Sequence, residues 1–307
     1  MRPKSAGNIR PLTPWRHLNS SAFCGLIAAF EDYALYWLWL TIRRAIAVGY
    51  MTDGMASSTS ENKYNMMSVP FEAVDGKGIS LNEIKFANQT VNTAFTAADR
   101  VMFWKPDIQD YEQYYHWGYQ NFQDQIPPVW KKVGTDTLYD TDHPEGIAPG
   151  TVFWYYSQVT ASSLEQAMTV SGQVPGDPIL TFDITHKAGK GKSTYYFIAN
   201  PFPSNANIAW NDSDVIWGAA TPNSAFTAAD RIMIWDASIQ DYVQYYLWGY
   251  AGFEEQVTPL WKKVGTDTLF SEDYKDGLPA GTGFWYYAQE EKSTDKVQTV
   301  TFKSPLK

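Results

Sequence analysis

The sequence predicts an all-β protein of two tandem homologous modules, each a small sandwich or barrel, behind an N-terminal apolar, helical leader. Three observations predict it. The chain repeats itself at an offset of 131 residues. It is 16% aromatic, with 20 Tyr and 13 Trp, residues that suit pleated, half-buried surfaces. Beyond the N-terminus no segment sustains the 3.6-residue apolar period of a helix.

The leader, residues 1–44, comes first. Residues 1–22 are basic and contain Pro. Then "FCGLIAAFEDYALYWLWLTI" (23–42) is apolar but interrupted by Glu31 and Asp32. Two acids near the centre of a span cost several kcal/mol, so no stable transmembrane helix is expected. "YALYWLWLTI" alone has the length of a signal-peptide core, and "AIA" (45–47) supplies a small-residue cleavage site. Arg43 and Arg44 depart from that pattern. The expectation is export with processing just before Val48. The alternatives are a misplaced start or a terminal helix packed on the first module.

The modules are 45–175 and 176–307. "NTAFTAADRVMFW" (92–104) aligns with "NSAFTAADRIMIW" (223–235), and "WKKVGTDTL" (130–138) recurs unchanged at 261–269. Between 92–158 and 223–289, 41 of 67 positions are identical. "VSGQVPGDP" (170–178) is the Pro/Gly-marked join. In each module "DRVMFW" or "DRIMIW" reads as a strand, followed by a turn and an alternating run, "DYEQYYHWGY" or "DYVQYYLWGY". Tyr111, Gln113, Tyr115, Trp117 and Tyr119 share one face of the first run, and all five recur at 242–250. That retained face is expected to be the inside of a copied fold. On the other face Glu112 and His116 become Val243 and Leu247. "VFWYY" and "GFWYY" give another strand, and "AMTVSGQV" and "VQTVTF" close the modules. "FTAAD" and "PVWKKV" are each expected to form a helical turn. "GKGK" (189–192) is expected to be a hairpin turn, its two Gly too close together for a phosphate loop.

"YNMMSVPFE" and "YYFIANPFP", then "ADRIMIWD…YVQYYLWG" and "LPAGTGFWYY", resemble repeat units of exported β-repeat proteins of Verrucomicrobia/Lentisphaerae-type bacteria. The resemblance spans about 48–302. It implies a "VGY" strand following a signal peptide, which matches Val48, and no particular chemistry.

Composition narrows the function. Net charge is −9. The first 50 residues hold six basic against two acidic residues, +4, which leaves −13 for the remainder. So acidic a body argues against nucleic acid. The single cysteine, Cys24, lies in the leader, so the body has no disulfide, Cys metal site or Cys nucleophile. His116 and His143 become Leu247 and Tyr274 in the second copy, so no His site is duplicated. Carboxylates do recur. Asp136, Asp142, Asp267 and Asp273 stand in acidic loops that could offer hard oxygens to calcium, or form Asx-type turns; no other cofactor is expected. Trp154 and Tyr156, with Trp285 and Tyr287, share a strand face and are candidate ligand-binding rings if that face is exposed. Val243 and Leu247 are candidates for an assembly surface, in a heterologous contact within the chain or with a neighbour. The expected function is non-enzymatic: an exported or cell-surface protein with a structural or adhesive role, through self-association or a surface partner. The alternatives are tandem carbohydrate-binding modules and, third, a polysaccharide hydrolase.

Overall fold

The computed structural model describes residues 48–159, 165–210 and 214–305. The leader, with the expected cleavage site before Val48, lies outside the described residues. Among those residues no helix is long and apolar enough to cross a membrane.

The first half contributes β1 (Val48–Met55), β2 (Lys63–Ser68), β3 (Lys85–Phe86), β4 (Arg100–Lys105), β5 (Asp110–Trp117), β6 (Val129–Lys132), β7 (Val152–Ser157) and β8 (Gln166–Gln173). These form an antiparallel five-stranded sheet, β2-β7-β4-β5-β6, and a three-stranded sheet, β1-β8-β3. The second half repeats the plan with β9 (Ile179–His186), β10 (Thr194–Ala199), β11 (Val215–Ile216), β12 (Arg231–Asp236), β13 (Asp241–Trp248), β14 (Leu260–Lys263), β15 (Gly283–Ala288) and β16 (Lys296–Lys303). Its sheets are β10-β15-β12-β13-β14 and β11-β16-β9. The described residues are thus almost all β, in two similar halves, each a sandwich with one short α-helix (Tyr139–Asp142 and Phe270–Asp273).

The core of each half lies between its two sheets. In the first, Val101, Phe103, Tyr114, Trp130, Phe153 and Tyr155 meet Phe86, Met168 and Val170. In the second, Tyr245, Leu247, Trp261, Phe284 and Tyr286 meet Trp217, Ile184, Val300 and Phe302. Side chains alternate across a strand, so the neighbours of these residues form the outer face. This reverses one expectation. The retained face of β5, Tyr111 to Trp117, points outward. The inside is the other face, with Tyr114 fully buried and His116 stacked on Trp130 at 4.8 Å.

Local readings also change. "FTA" forms a 3-10 turn at Phe95–Ala97 and Phe226–Ala228, whereas "VWKK" and "LWKK" are strands, not helical turns. The strands win because Lys131 and Lys262 pair with Tyr115 and Tyr246 in the ladder. The "GKGK" segment turns with Gly189 and Gly191 at positive φ. It joins β9 to β10, which belong to different sheets, so it is a corner and not a hairpin.

Candidate functional site

A buried carboxylate fixes the same end of each five-stranded sheet. Asp99 accepts hydrogen bonds from the Tyr155 hydroxyl (2.6 Å), the Thr90 amide (2.8 Å) and the Gln158 amide (2.8 Å). Asp230 repeats the set with Tyr286 (2.6 Å), Thr221 (2.7 Å) and Gln289 (2.8 Å). Burial raises the pKa of both, because an apolar interior disfavours the charged form. Both are closed off from solvent, so they serve as framework.

The outer face of the five-stranded sheet has two ends. Register sets Tyr64, Tyr156, Arg100, Tyr115 and Lys131 in one row across five strands. Met66, Trp154, Met102 and Gln113 form the next row, and Trp104 pairs with Tyr111 beyond it. The second half carries Tyr195, Tyr287, Arg231, Tyr246 and Lys262 in the matching row.

The Trp end joins the two halves. Trp104 meets Trp285 edge to face at 4.9 Å, and Trp154 meets Trp235 at 5.0 Å. These pairs exchange under the 131-residue offset, so the contact is a pseudo-two-fold one in which each half presents the same patch. Trp104 Nε1 donates to the Tyr195 carbonyl (2.8 Å), and Trp235 Nε1 to the Tyr64 carbonyl (3.0 Å). Gln109 and Gln240, both at positive φ, reach across to the same two residues. The Gln109 amide accepts from Tyr195 N (3.1 Å) and donates to its carbonyl (3.3 Å); Gln240 does the same to Tyr64 (2.9 and 3.1 Å). One residue on each of the edge strands β2 and β10, Tyr64 and Tyr195, thereby has both its backbone groups bonded across the join.

The candidate ligand-binding rings fall here. Trp154 and Trp285 are only 5% and 6% exposed. Tyr156 is buried and Tyr287 half-buried, each beneath an arginine guanidinium at 4.1 and 3.8 Å. These four rings therefore make no open platform. The candidate assembly residues do not meet the other half either. Leu247 is fully buried in its own core, and Val243 packs against that core. The contact between halves is pseudo-symmetric and not heterologous, because the face it uses is the retained one.

The four candidate calcium carboxylates each hold a lysine. Asp136 pairs with Lys131 (2.6 Å), Asp142 with Lys132 (2.9 Å), Asp267 with Lys262 (2.5 Å) and Asp273 with Lys263 (3.0 Å). Asp142 and Asp273 also accept from Tyr114 and Tyr245. Among the described residues no group of three or more His, Cys, Asp or Glu is placed to hold a metal ion. In the first half Glu112 joins this network through Lys132 (2.6 Å), Lys105 (3.0 Å) and His143 (2.9 Å). Although burial raises its pKa, these donors outweigh burial and bring it down to about 2.

The other end of the outer face is open. Phe95 and Phe226 are 41% and 42% exposed. In the second half Ser224–Thr227, Tyr246 and the 262–267 turn enclose a shallow groove of about 590 Å³. The groove residues and their first-half counterparts are the same types except at Thr93/Ser224. Reading the sequence for rings and carboxylates missed this end. Its signal was the unbroken identity of "AFTAADR" and "WKKVGTDTL", which extends past what the core needs.

Comparisons with protein-family models, curated proteins and solved structures find no match.

Proposed function

We propose that the chain is a non-enzymatic, exported or surface-associated β-repeat protein with a structural or adhesive role, working through contacts with a partner and between its own modules. One observation carries this reading: each outer sheet face is retained in both copies, and one end of it is already used for protein contact. Four Trp rings and two Gln side chains lock the halves. The other ends remain open, and an exposed aromatic patch that folding does not consume marks an interaction surface. The resemblance to exported β-repeat proteins fits the same role. So does the state of six recurring carboxylates: Asp99 and Asp230 are buried as framework, and Asp136, Asp142, Asp267 and Asp273 are held by lysines.

A second reading, tandem carbohydrate-binding modules, is favoured by the half-exposed Phe and adjacent Arg on each open end. Fractionation of the producing cells, with adhesion of protein-coated beads to their surface, tests the proposal. Surface-bound protein starting near Val48 and bead retention are expected. Cytosolic protein with Met1 retained, or turnover of a polysaccharide by the pure protein, would overturn it.

A further inference from the structure

We propose that each module carries a binding site for a carboxylate-bearing glycan, formed by Phe95, Arg100, Tyr115 and the 131–136 turn in the first half and by Phe226, Arg231, Tyr246 and the 262–267 turn in the second. The proposal rests on the adhesive reading and names its partner.

The arginines are the leading observation. The Arg100 guanidinium lies 4.1 Å from the Tyr156 ring centroid and 6.0 Å from that of Phe95. Arg231 lies 3.8 Å from Tyr287 and 5.9 Å from Phe226. Neither forms a hydrogen bond or ion pair with any described residue, and the Nε of each is buried and without a partner. The neighbouring lysines behave differently: Lys131 and Lys262 each hold an aspartate. The chain has 33 acidic residues against 24 basic ones. Within it, a guanidinium without a counter-ion, held against rings at the same place twice, is a fork kept for an outside acceptor. Its planar, paired donors match a carboxylate, and ring contact keeps it oriented while its amino groups stay available.

The groove beside it suits a sugar ring. Phe226, 42% exposed, offers apolar surface to the C–H face of a pyranose, with the largely buried Tyr246 as the floor behind it. Ser224, Thr227 and Thr266 on the rim carry hydroxyls that both donate and accept, beside the Lys262–Asp267 ion pair. The groove, of about 590 Å³, is shallow and open, so it would cover one face of a sugar ring and not enclose it. One unpaired cation per site is too few for nucleic acid. Two equivalent sites on one chain let a polymer with repeated carboxylates engage both.

The test titrates the full chain with sodium polygalacturonate and alginate, alongside neutral dextran and poly-L-glutamate, by calorimetry and affinity electrophoresis. Polyuronate binding is expected, weakening as NaCl rises from about 50 to about 500 mM. Arg100→Gln with Arg231→Gln is expected to weaken it about tenfold or more, and either substitution alone to remove the gain from two-site binding. Phe95→Ala with Phe226→Ala should weaken it similarly. Far-ultraviolet circular dichroism and thermal midpoint establish that each variant is folded. Should a double Arg variant fail to fold, the single variants and the Phe pair carry the test. The proposal is overturned if neither polyuronate binds, if folded Arg variants bind as the parent does, or if dextran or poly-L-glutamate binds as tightly as the polyuronates. A protein that adheres to cells yet ignores polyuronates would reject this site and leave the adhesive reading standing.

Discussion

Single residues set the acid response of the first half. Glu112 has its pKa brought from 4.5 to about 2 by Lys132, Lys105 and His143, against the opposing effect of burial. A carboxyl depressed in the folded state contributes stability that is present above about 4.5 and is lost as pH falls toward about 2. Asp99 and Asp230, raised by burial, act with the opposite sign: their contribution is present at low pH and is lost as pH rises through their folded values. Urea midpoints from pH 6 to pH 2 for the parent and Glu112→Gln should therefore converge toward the acid end, with the parent ahead above pH 4.5; parallel curves would refute the linkage. A second prediction separates buried from outer tryptophan. Trp217 is fully buried, so Trp217→Ala should cost about 3–5 kcal/mol. Trp248 is half-buried on the outer face, so Trp248→Ala should cost about 1 kcal/mol; equal losses in chemical denaturation would contradict this. The arginines were not legible as site residues from sequence. A cation is recognised as unpaired only once its surroundings are placed, and the same letters in "AADR" would read identically beside a carboxylate.

Elements were legible in kind and spacing, and less so in orientation. The Pro/Gly join, the repeat and the alternating runs of β5 and β13 could be read because strand period and turn chemistry are local. Which face of β5 turns inward is not local. Both faces carry aromatics, and the choice depends on Phe86, Trp130 and Met168 arriving from other strands. The face that varies between copies is the inner one, since Leu247 and Val243 replace His116 and Glu112 without altering the sheet. Leu247→Lys should accordingly destabilise the second module by about 4 kcal/mol or more, as a charge buried without a partner, and should not act as a lesion of assembly. Glu112→Val with His116→Leu copies the inner face of the second half and should cost no more than about 2 kcal/mol, because Lys105 and Lys132 are each about a third exposed and can hydrate. Denaturation curves for the two variants decide. Near-parental stability for Leu247→Lys would mean that β13 presents the other face to its core.

At the scale of the molecule the halves behave as a fused symmetric pair. The surface that docks them is largely the retained one, with the same Trp, Tyr and Gln residues on both sides and differences at Met66/Phe197 and Met51/Phe182. Glycine marks how closely they approach. Gly150, at φ +81, leaves room for Phe182 and Ala199 of the other half, where an added Cβ would come within 2.6 Å of the Phe182 ring; Gly281 faces Met51 in the reciprocal way. The docking seam is built on the Trp104–Trp285 and Trp154–Trp235 pairs, the rings of Tyr111, Phe197 and Tyr242 around them, and the edge contacts to Tyr64 and Tyr195. Each core, by contrast, is closed within its own two sheets. Removing the docking rings should then uncouple the halves without unfolding either. For Trp104→Ala with Trp235→Ala we expect retained β circular dichroism, a larger radius of gyration in small-angle scattering, and a single thermal transition giving way to two. A double variant that keeps the parental radius and one cooperative transition would show that the halves are held by something other than this aromatic seam.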